Sequence, residues 1–218
     1  MFSHARVRRA SQEESPSGLK SELEALDRLL PGQGLPRGRL SELSGPWSSG
    51  KRSLAAAWCG AALGRGELAI WVDALGGFYP LPALEGGAPF EALVVVRPPR
   101  VTRQRELPGL RAADLLLGGG CSIALLVLDV PVSRGVQPRQ LSRLQHGAER
   151  SGAAVLFVTE KAAGAASLGT QVSLHLAVER REGWRLQVAL CKSKLGPTER
   201  TARVELHDPH GLHLDPTL

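Results

Sequence analysis

Three cysteines, few aromatic residues and no long apolar run are the first limits that this sequence sets. The cysteines, Cys59, Cys121 and Cys191, form no CxxC pair and no zinc spacing, so neither a disulfide framework nor a zinc site is predicted. We expect buried free thiols in a reducing compartment. No apolar run reaches the roughly 20 residues of a membrane-spanning helix, and residues 1–16 lack the apolar core of a signal peptide. A cytoplasmic protein without membrane contact is therefore predicted.

Lysine is scarce as well, and arginine supplies most of the positive charge. The chain has 27 lysines and arginines against 21 acidic residues, a formal charge of +6, and five of the 27 are lysines. This balance is compatible with a nucleic acid or an acidic protein as partner, and a coding bias towards arginine accounts for it equally well. Candidate nucleic-acid contacts cluster around Pro98-Pro99: Arg97, Arg100, Arg103 and Arg105. The alternative is a solvated helix face and loop, and no aromatic residues interleave with the cluster to form a stacking platform.

Apolar periodicity predicts strands and helices that alternate along most of the chain. The predicted helices cover residues 19–30, 51–63, 104–117 and 138–151, and the predicted strands cover residues 39–43, 67–73, 92–96, 123–130 and 153–159. Period-two segments follow at 172–178, 184–191 and 201–206. This order predicts an α/β fold, a mostly parallel sheet flanked by helices with antiparallel strands at the C-terminal end. We expect a flexible arm (1–17), a single domain (18–206) and a loose tail (207–218).

A glycine-rich loop between a predicted strand and a predicted helix carries the strongest functional signal. The phosphate-binding pattern G-x-x-x-x-G-K-[ST] is met by Gly45, Gly50 and Lys51, but position 52 is an arginine where a hydroxyl should hold Mg²⁺. The adjacent Ser53 lies about 100° further around the helix. Asp129, at the end of an apolar strand, fits the acidic residue that organises Mg²⁺. The predicted nucleotide-binding residues are Gly45, Ser48, Ser49, Gly50, Lys51, Arg52, Ser53 and Asp129.

Each of these assignments has an alternative in which the residue has no role in nucleotide binding. A Gly/Ser turn can simply precede a helix, and an aspartate that ends a buried strand can be a cap or turn residue. The Arg52 guanidinium can contact phosphate and bind anions without a metal, or it can point into solvent.

The segments GLPRGR (34–39) and GPWSSGK (45–51) resemble the core of the RecA recombinase family. The resemblance continues in order through Trp71-Val72-Asp73-Ala74, Leu126-Val127-Leu128-Asp129, Phe157-Val158-Thr159-Glu160 and Cys191-Lys192-Ser193-Lys194. It implies a RecA-like phosphate-loop core, ATP or ADP as the candidate nucleotide, and a subunit-interface role for Lys192 and Lys194.

The chain also departs from the RecA pattern. Arg52 replaces the Mg²⁺-binding threonine, Leu75 occupies the place of the catalytic glutamate, and Glu160 replaces a sensing glutamine. Tyr79-Pro80 stands where the family has Asp-Pro against the adenine ring. These changes predict a degenerate phosphate loop in a protein that is not an enzyme. They predict no catalytic residue, no bound metal and little or no ATP hydrolysis.

The lead-in LDRLLPGQGLPRGRLSEL (26–43) resembles the ImuA group of RecA-like proteins, accessory proteins of the bacterial SOS mutasome. The resemblance implies a role in DNA repair and mutagenesis through damage-induced translesion synthesis. The implied partners are an ImuB-like inactive Y-family polymerase, an error-prone polymerase III alpha-type subunit, and RecA, with DNA contact left open. The alternatives are an active RecA-type DNA-dependent ATPase or recombinase paralogue, and a cell-division inhibitor. Helix 19–30 is expected to pack on the core of its own chain, with self-association as the alternative.

Overall fold

The computed structural model describes residues 18–80, 90–99, 107–131, 136–162 and 164–206. The α-helices are α1 (Glu24–Leu29), α2 (Lys51–Gly64), α3 (Pro108–Gly118) and α4 (Pro138–Ser151), with short 3-10 turns at Pro31–Gln33 and Phe90–Ala92. The strands are β1 (Leu40–Gly45), β2 (Leu68–Asp73), β3 (Leu93–Val96), β4 (Ile123–Asp129), β5 (Ala154–Glu160), β6 (Val172–Arg180), β7 (Arg185–Ser193) and β8 (Arg200–Glu205). The predicted arm 1–17 and tail 207–218 lie outside the described residues.

The eight described strands form one sheet in the order β3-β2-β4-β5-β1-β6-β7-β8. Strands β3 to β6 in that order are parallel, and β7 and β8 extend the sheet with antiparallel pairing. The predicted α/β fold with antiparallel strands at its C-terminal end is confirmed. Parallel strands need covered faces, which explains why β4 (IALLVLD) is buried along its entire length.

Two apolar layers cover the sheet, one on each face. Helices α1 and α2 pack on the first face, where Trp58 of α2 and Trp71 of β2 are fully buried. Helices α3 and α4 pack on the second face around Leu126 and Phe157. Alternate residues of β4 point into opposite layers, so a single strand supplies both cores. Among the described residues, no helix is long and apolar enough to cross a membrane.

The first helix is shorter than its leucine spacing predicts. Helix α1 begins at Glu24 for two reasons. Glu22 has a positive φ of 64°, and the Asp27 carboxylate accepts hydrogen bonds from the turn that precedes the helix. Asp27 accepts hydrogen bonds from the amide and hydroxyl of Ser21, both at 2.8 Å. Leu19 instead pairs with Leu35 in an antiparallel bridge. The expected packing on the chain's own core is confirmed, since Leu19 joins Leu26 and Leu29 in the first layer.

Two further expectations need correction. The helix predicted over 104–117 begins at Pro108, where a proline costs nothing because the first helical amide has no partner in the helix. Residues 104–106 lie outside the described ranges. The cysteines are not all buried: Cys59 is enclosed by the first layer, whereas Cys121 and Cys191 are exposed. Burial raises the pKa of the Cys59 thiol well above its ordinary value, so this cysteine stays an uncharged core residue.

Candidate nucleotide-binding site

The glycine-rich loop lies at the carboxyl edge of the parallel strands, between the central strand β1 and helix α2. The chain passes from β1 to β2, three places away on one side, whereas it passes from the neighbouring β5 to β6 on the other side of β1. In open α/β sheets such a switch point forms the crevice in which ligands bind. The topology therefore places the loop where a phosphate group would meet the N-terminus of α2.

The loop backbone requires glycine at two of its predicted positions. Gly50 has a φ of +85°, and a Cβ there would lie 2.7 Å from the Leu186 side chain. A Cβ on Gly45 would lie 2.5 Å from the carbonyl oxygen of Val178. Ser48, between them, also adopts a positive φ of 58°. The loop is thus wound tightly against strands β6 and β7, as the phosphate-loop pattern predicts.

Lys51 opens α2 with its side chain folded back over the loop. Its Nζ donates a 2.8 Å hydrogen bond to the Pro46 carbonyl. Burial lowers the pKa of Lys51, the Arg52 charge lowers it further, and Glu160 and Asp129 oppose the shift. Within the described residues the buried hydroxyl of Ser49 has no hydrogen-bond partner. A buried polar oxygen without a partner costs free energy, so the loop carries one group that a ligand can satisfy.

The residue at position 52 answers the question that the sequence left open. Arg52 points neither into solvent nor away from the site: its Nε donates to Asp129 Oδ2 at 2.6 Å and its Nη2 donates to Oδ1 at 3.1 Å. The Asp129 side chain is 1% exposed and that of Arg52 is 22% exposed. The guanidinium carbon also lies 5.0 Å from the centre of the Trp47 ring. The loop and the end of β4 are therefore joined by a bidentate ion pair.

A second carboxylate stands beside Asp129, and the sequence analysis missed its role. Asp73 ends β2 and is the direct register partner of Asp129. It accepts hydrogen bonds from the Gly77 amide at 2.9 Å and from Arg97 Nε at 3.1 Å. The signal was present, because β2, like β4, is an apolar strand that ends in aspartate. Burial raises the pKa of Asp129, and Asp73 adds to this shift while Arg52 and Lys51 oppose it.

These residues do not fit the Mg²⁺ ion that the phosphate-loop pattern implies. The hydroxyl ligand is missing at position 52, and both oxygens of the Asp129 carboxylate accept hydrogen bonds from a guanidinium. A metal at this place would have to displace Arg52 and would then lie next to its positive charge. Ser53 is half-buried one position further along α2 and is not the partner of Asp129. The donor set present favours an arginine–carboxylate pair over a divalent cation.

The remaining predicted residues are spread around the sheet. Arg97 is 65% exposed but is held by Asp73, so a nucleic-acid phosphate would compete with that carboxylate. Arg100, Arg103 and Arg105 lie outside the described residues. Lys192 donates to the Gly169 carbonyl at 2.8 Å and to the Ser167 hydroxyl at 3.2 Å, whereas Lys194 is exposed. The predicted DNA and subunit contacts therefore remain predictions.

Comparison with known proteins finds similarity to RecA proteins. The chain is 29% identical over 226 residues to Protein RecA of Thermus thermophilus, which covers 86% of this chain and 66% of the relative. It is also 29% identical to Protein RecA of Amycolatopsis mediterranei, over 89% of this chain and 66% of that protein. Over most of its length the chain is therefore similar to RecA proteins. It spans just under two thirds of the length of these curated relatives. No protein-family model matches the chain.

The relationship to RecA corrects one prediction. The sequence departures led us to expect a protein that is not an enzyme, with a degenerate loop and little or no hydrolysis. That prediction is contradicted, because the relatives are RecA proteins, RecA is a DNA-dependent ATPase, and this comparison gives no evidence of degeneracy. The arginine at position 52 is therefore not by itself evidence that turnover has been lost.

Proposed function

We propose that the chain is a RecA-like, phosphate-loop accessory protein of damage-induced translesion DNA synthesis that acts in the cytoplasm. The observation that carries the proposal is the likeness to RecA over 86% of the chain, in a sheet whose eight strands support the same relationship. The residues of the loop support nucleotide binding, because Gly45, Gly50 and Lys51 keep the backbone and the charge that phosphate needs.

The accessory role is supported by the residues that surround the loop. The segment 26–43 resembles the ImuA group, and its leucines other than Leu40 are part of the first apolar layer. Position 52 carries a cation that pairs with Asp129. Leu75 and Tyr79, which follow β2 in the sequence, are exposed. Exposed apolar and aromatic side chains beside the site suit contacts with a protein partner. The proposed partners are an ImuB-like inactive Y-family polymerase, an error-prone polymerase III alpha-type subunit, and RecA.

A deletion strain tests the proposed role directly. Removal of the gene should lower the frequency of mutations induced by ultraviolet damage towards the uninduced level, and the wild-type gene should restore it. Homologous recombination should remain intact in the same strain. An unchanged mutation frequency, or a loss of recombination, would contradict the accessory role.

The partner assignment has its own experiment. The purified full-length chain should retain a purified ImuB-like polymerase on an affinity matrix, and Leu75→Ser with Tyr79→Ser should reduce the retention. Arg65→Ser is the matched control, because Arg65 caps the C-terminal end of α2, away from the loop that precedes the helix. Equal retention by both variants would move the partner surface elsewhere, and no retention by the wild type would remove this partner.

The second candidate function is a RecA-type DNA-dependent ATPase. Its specific support is the relationship to RecA together with Lys51 and the buried Asp129, which keep their places in the loop and on β4. Phosphate release from ATP by the pure protein, measured with and without single-stranded DNA, tests it. Stimulation by DNA, combined with loss of recombination in the deletion strain, favours this candidate over the accessory role.

A further inference from the structure

The ion pair between the loop and β4 suggests how the site handles phosphate charge. Arg52 uses two of its five N–H groups for Asp129 within the described residues. The guanidinium also has two other neighbours. Trp47 stacks on it at 5.0 Å, and a Cβ on Gly77 would lie 3.7 Å from its Cζ and Nε atoms. A cation is thus built into the site, where it is paired with the end of β4 and stacked on the loop.

The charges of the loop are balanced differently from those of a metal-dependent site. Lys51, Arg52 and Arg97 stand against the carboxylates of Asp129, Asp73 and Glu160, so the arginine at position 52 brings these charges into balance. With a hydroxyl at position 52 the same groups would carry one net negative charge, and a divalent cation would have to offset it before phosphate could bind. Here a guanidinium of the chain offsets it. Arginine is suited to this role because its planar donors match phosphate oxygens and it stays charged at every relevant pH.

The loop itself provides an independent sign of a ligand. The Ser49 side chain is 1% exposed, and its hydroxyl has no hydrogen-bond partner within the described residues. It lies inside the turn, 2.6 Å from where a Cβ on Gly45 would be. The turn therefore holds an unsatisfied hydroxyl in addition to the amides at the start of α2.

We propose that this loop binds the phosphate chain of a nucleoside di- or triphosphate without a divalent cation, and that the Arg52 guanidinium takes the place of the metal. The inference rests on the nucleotide site of the proposed function but not on its partners. It concerns binding, so it holds whether or not the bound nucleotide is turned over.

Calorimetric titration of the full-length protein with ATP, ADP and inorganic pyrophosphate, in excess EDTA and in excess Mg²⁺, tests the inference. We expect dissociation constants that agree within about twofold between the two buffers. Binding of both pyrophosphate and ADP would show that the site recognises the phosphate chain. Binding of ADP without pyrophosphate would show that the site recognises the base as well as the phosphates. Fluorescence of Trp47 provides a second readout of binding. Trp47→Phe is its control, because the signal that remains in this variant comes from Trp58, Trp71 and Trp184.

Variants assign the binding to Arg52. Arg52→Thr should bind ADP about tenfold or more weakly in EDTA and should recover affinity when Mg²⁺ is added, since a hydroxyl and a free Asp129 carboxylate are then available. Asp129→Asn should keep or improve metal-free binding, because it removes the carboxylate charge that pairs with the guanidinium. Arg65→Thr, which removes an arginine from the other end of α2, should behave as the wild type. Circular dichroism confirms folding, and Asp129→Asn decides the question if Arg52→Thr does not fold.

Three results would overturn the inference. In the first, Mg²⁺ tightens the affinity of the wild type by about tenfold or more. In the second, Arg52→Thr and the wild type bind equally well without metal. In the third, none of the three ligands binds in either buffer. Failure here is distinguishable from failure of the proposed function, since the mutation frequency of the deletion strain does not depend on the metal requirement in the calorimeter.

Discussion

At the scale of single residues, the site is governed by the cost of burying charge. Asp129 is almost fully enclosed at the end of β4, and burial is the largest cause that raises the pKa of its carboxyl. It remains a good hydrogen-bond acceptor because a guanidinium is bound to both of its oxygens. An unpaired carboxylate in the same place would lose far more in desolvation than it could regain from distant charges.

The first prediction concerns this pair. Arg52→Met should lower the free energy of unfolding by about 2–3 kcal/mol, less than for a fully buried pair because Arg52 is partly exposed. Arg52→Met with Asp129→Leu should recover most of the loss, because neither charge then remains. Urea unfolding at neutral pH measures both. Arg65→Met is the control: its glutamate partners are partly or largely exposed, so its cost should stay below about 1 kcal/mol. An equal loss of unfolding free energy in Arg52→Met and Arg65→Met would show that the Asp129 pair contributes no more to stability than an exposed pair.

The second prediction concerns Lys51, whose pKa is lowered by burial and by Arg52 while Glu160 and Asp129 oppose the shift. Phosphate binding needs the ammonium form, so affinity should be complete at neutral pH and should be lost as pH rises through this lowered pKa. The loss should begin below the ordinary lysine value of 10.5. The dissociation constant for ADP as a function of pH measures it. Lys51→Arg should remove the alkaline loss because a guanidinium does not deprotonate there, and a variant that keeps the loss would place the titrating group elsewhere.

At the scale of elements, one buried carboxylate on β1 holds together the chain that follows β5. Glu42 is fully buried and accepts hydrogen bonds from Thr159 Oγ1 at 2.8 Å and from the Leu168 amide at 2.7 Å. Its Oε1 also lies 2.6 Å from Lys161 Nζ. Lys192 of β7 binds the same segment from the other side through the Gly169 carbonyl. The segment between β5 and β6 is therefore tied to two strands by polar contacts.

The third prediction follows from this arrangement. Glu42→Gln keeps the shape of the side chain but removes its charge, so it should cost about 1–3 kcal/mol of stability. Hydrogen exchange at the Leu168 amide should accelerate more than exchange in β4, because the change is local. Glu149→Gln, on the exposed face of α4, should cost less than about 0.5 kcal/mol. Unchanged exchange at Leu168 would show that backbone geometry alone fixes the segment.

The elements also show how far sequence reasoning reaches. Helix α4 was predicted residue for residue, because its apolar stripe is bounded by Pro138 and by Gly152 in a left-handed conformation. Helix α1 was predicted too long, because leucine spacing does not reveal that the Asp27 carboxylate would turn the chain at Ser21. The partner of Arg52 could not be read either. The pattern identified both residues, but their separation of 77 positions is closed only by the order of the strands.

At the scale of the whole molecule, the sheet changes from parallel to antiparallel pairing between β6 and β7, and a buried histidine lies close to this change. His175 of β6 and Ser44 of β1 share a hydrogen bond of 2.7 Å between Nε2 and Oγ. Glu42 and Lys192 are the register neighbours of His175 on either side. The two halves of the sheet thus meet at an imidazole that is enclosed by charged groups.

The fourth prediction makes the stability of the molecule depend on this imidazole. Burial lowers the pKa of His175, Lys161 and Lys192 lower it further, and Glu42 opposes them. The folded state therefore favours the neutral ring, while the unfolded chain takes up a proton near the ordinary pKa of 6.5. The stabilisation is complete above that pH and is lost as pH falls through it, by at most about 1.4 kcal/mol per pH unit.

Urea unfolding of the wild type, His175→Gln and His146→Gln at a series of pH values between neutral and mildly acidic separates this contribution from that of the carboxylates. Glutamine at position 175 can still hydrogen-bond Ser44 but does not titrate, so its stability curve should be flatter than that of the wild type in this range. His146 is 73% exposed and should leave the curve unchanged when it is replaced. Parallel curves for all three proteins would mean that acid weakens the molecule through its carboxylates, and the imidazole between β1 and β6 would then have only a packing role.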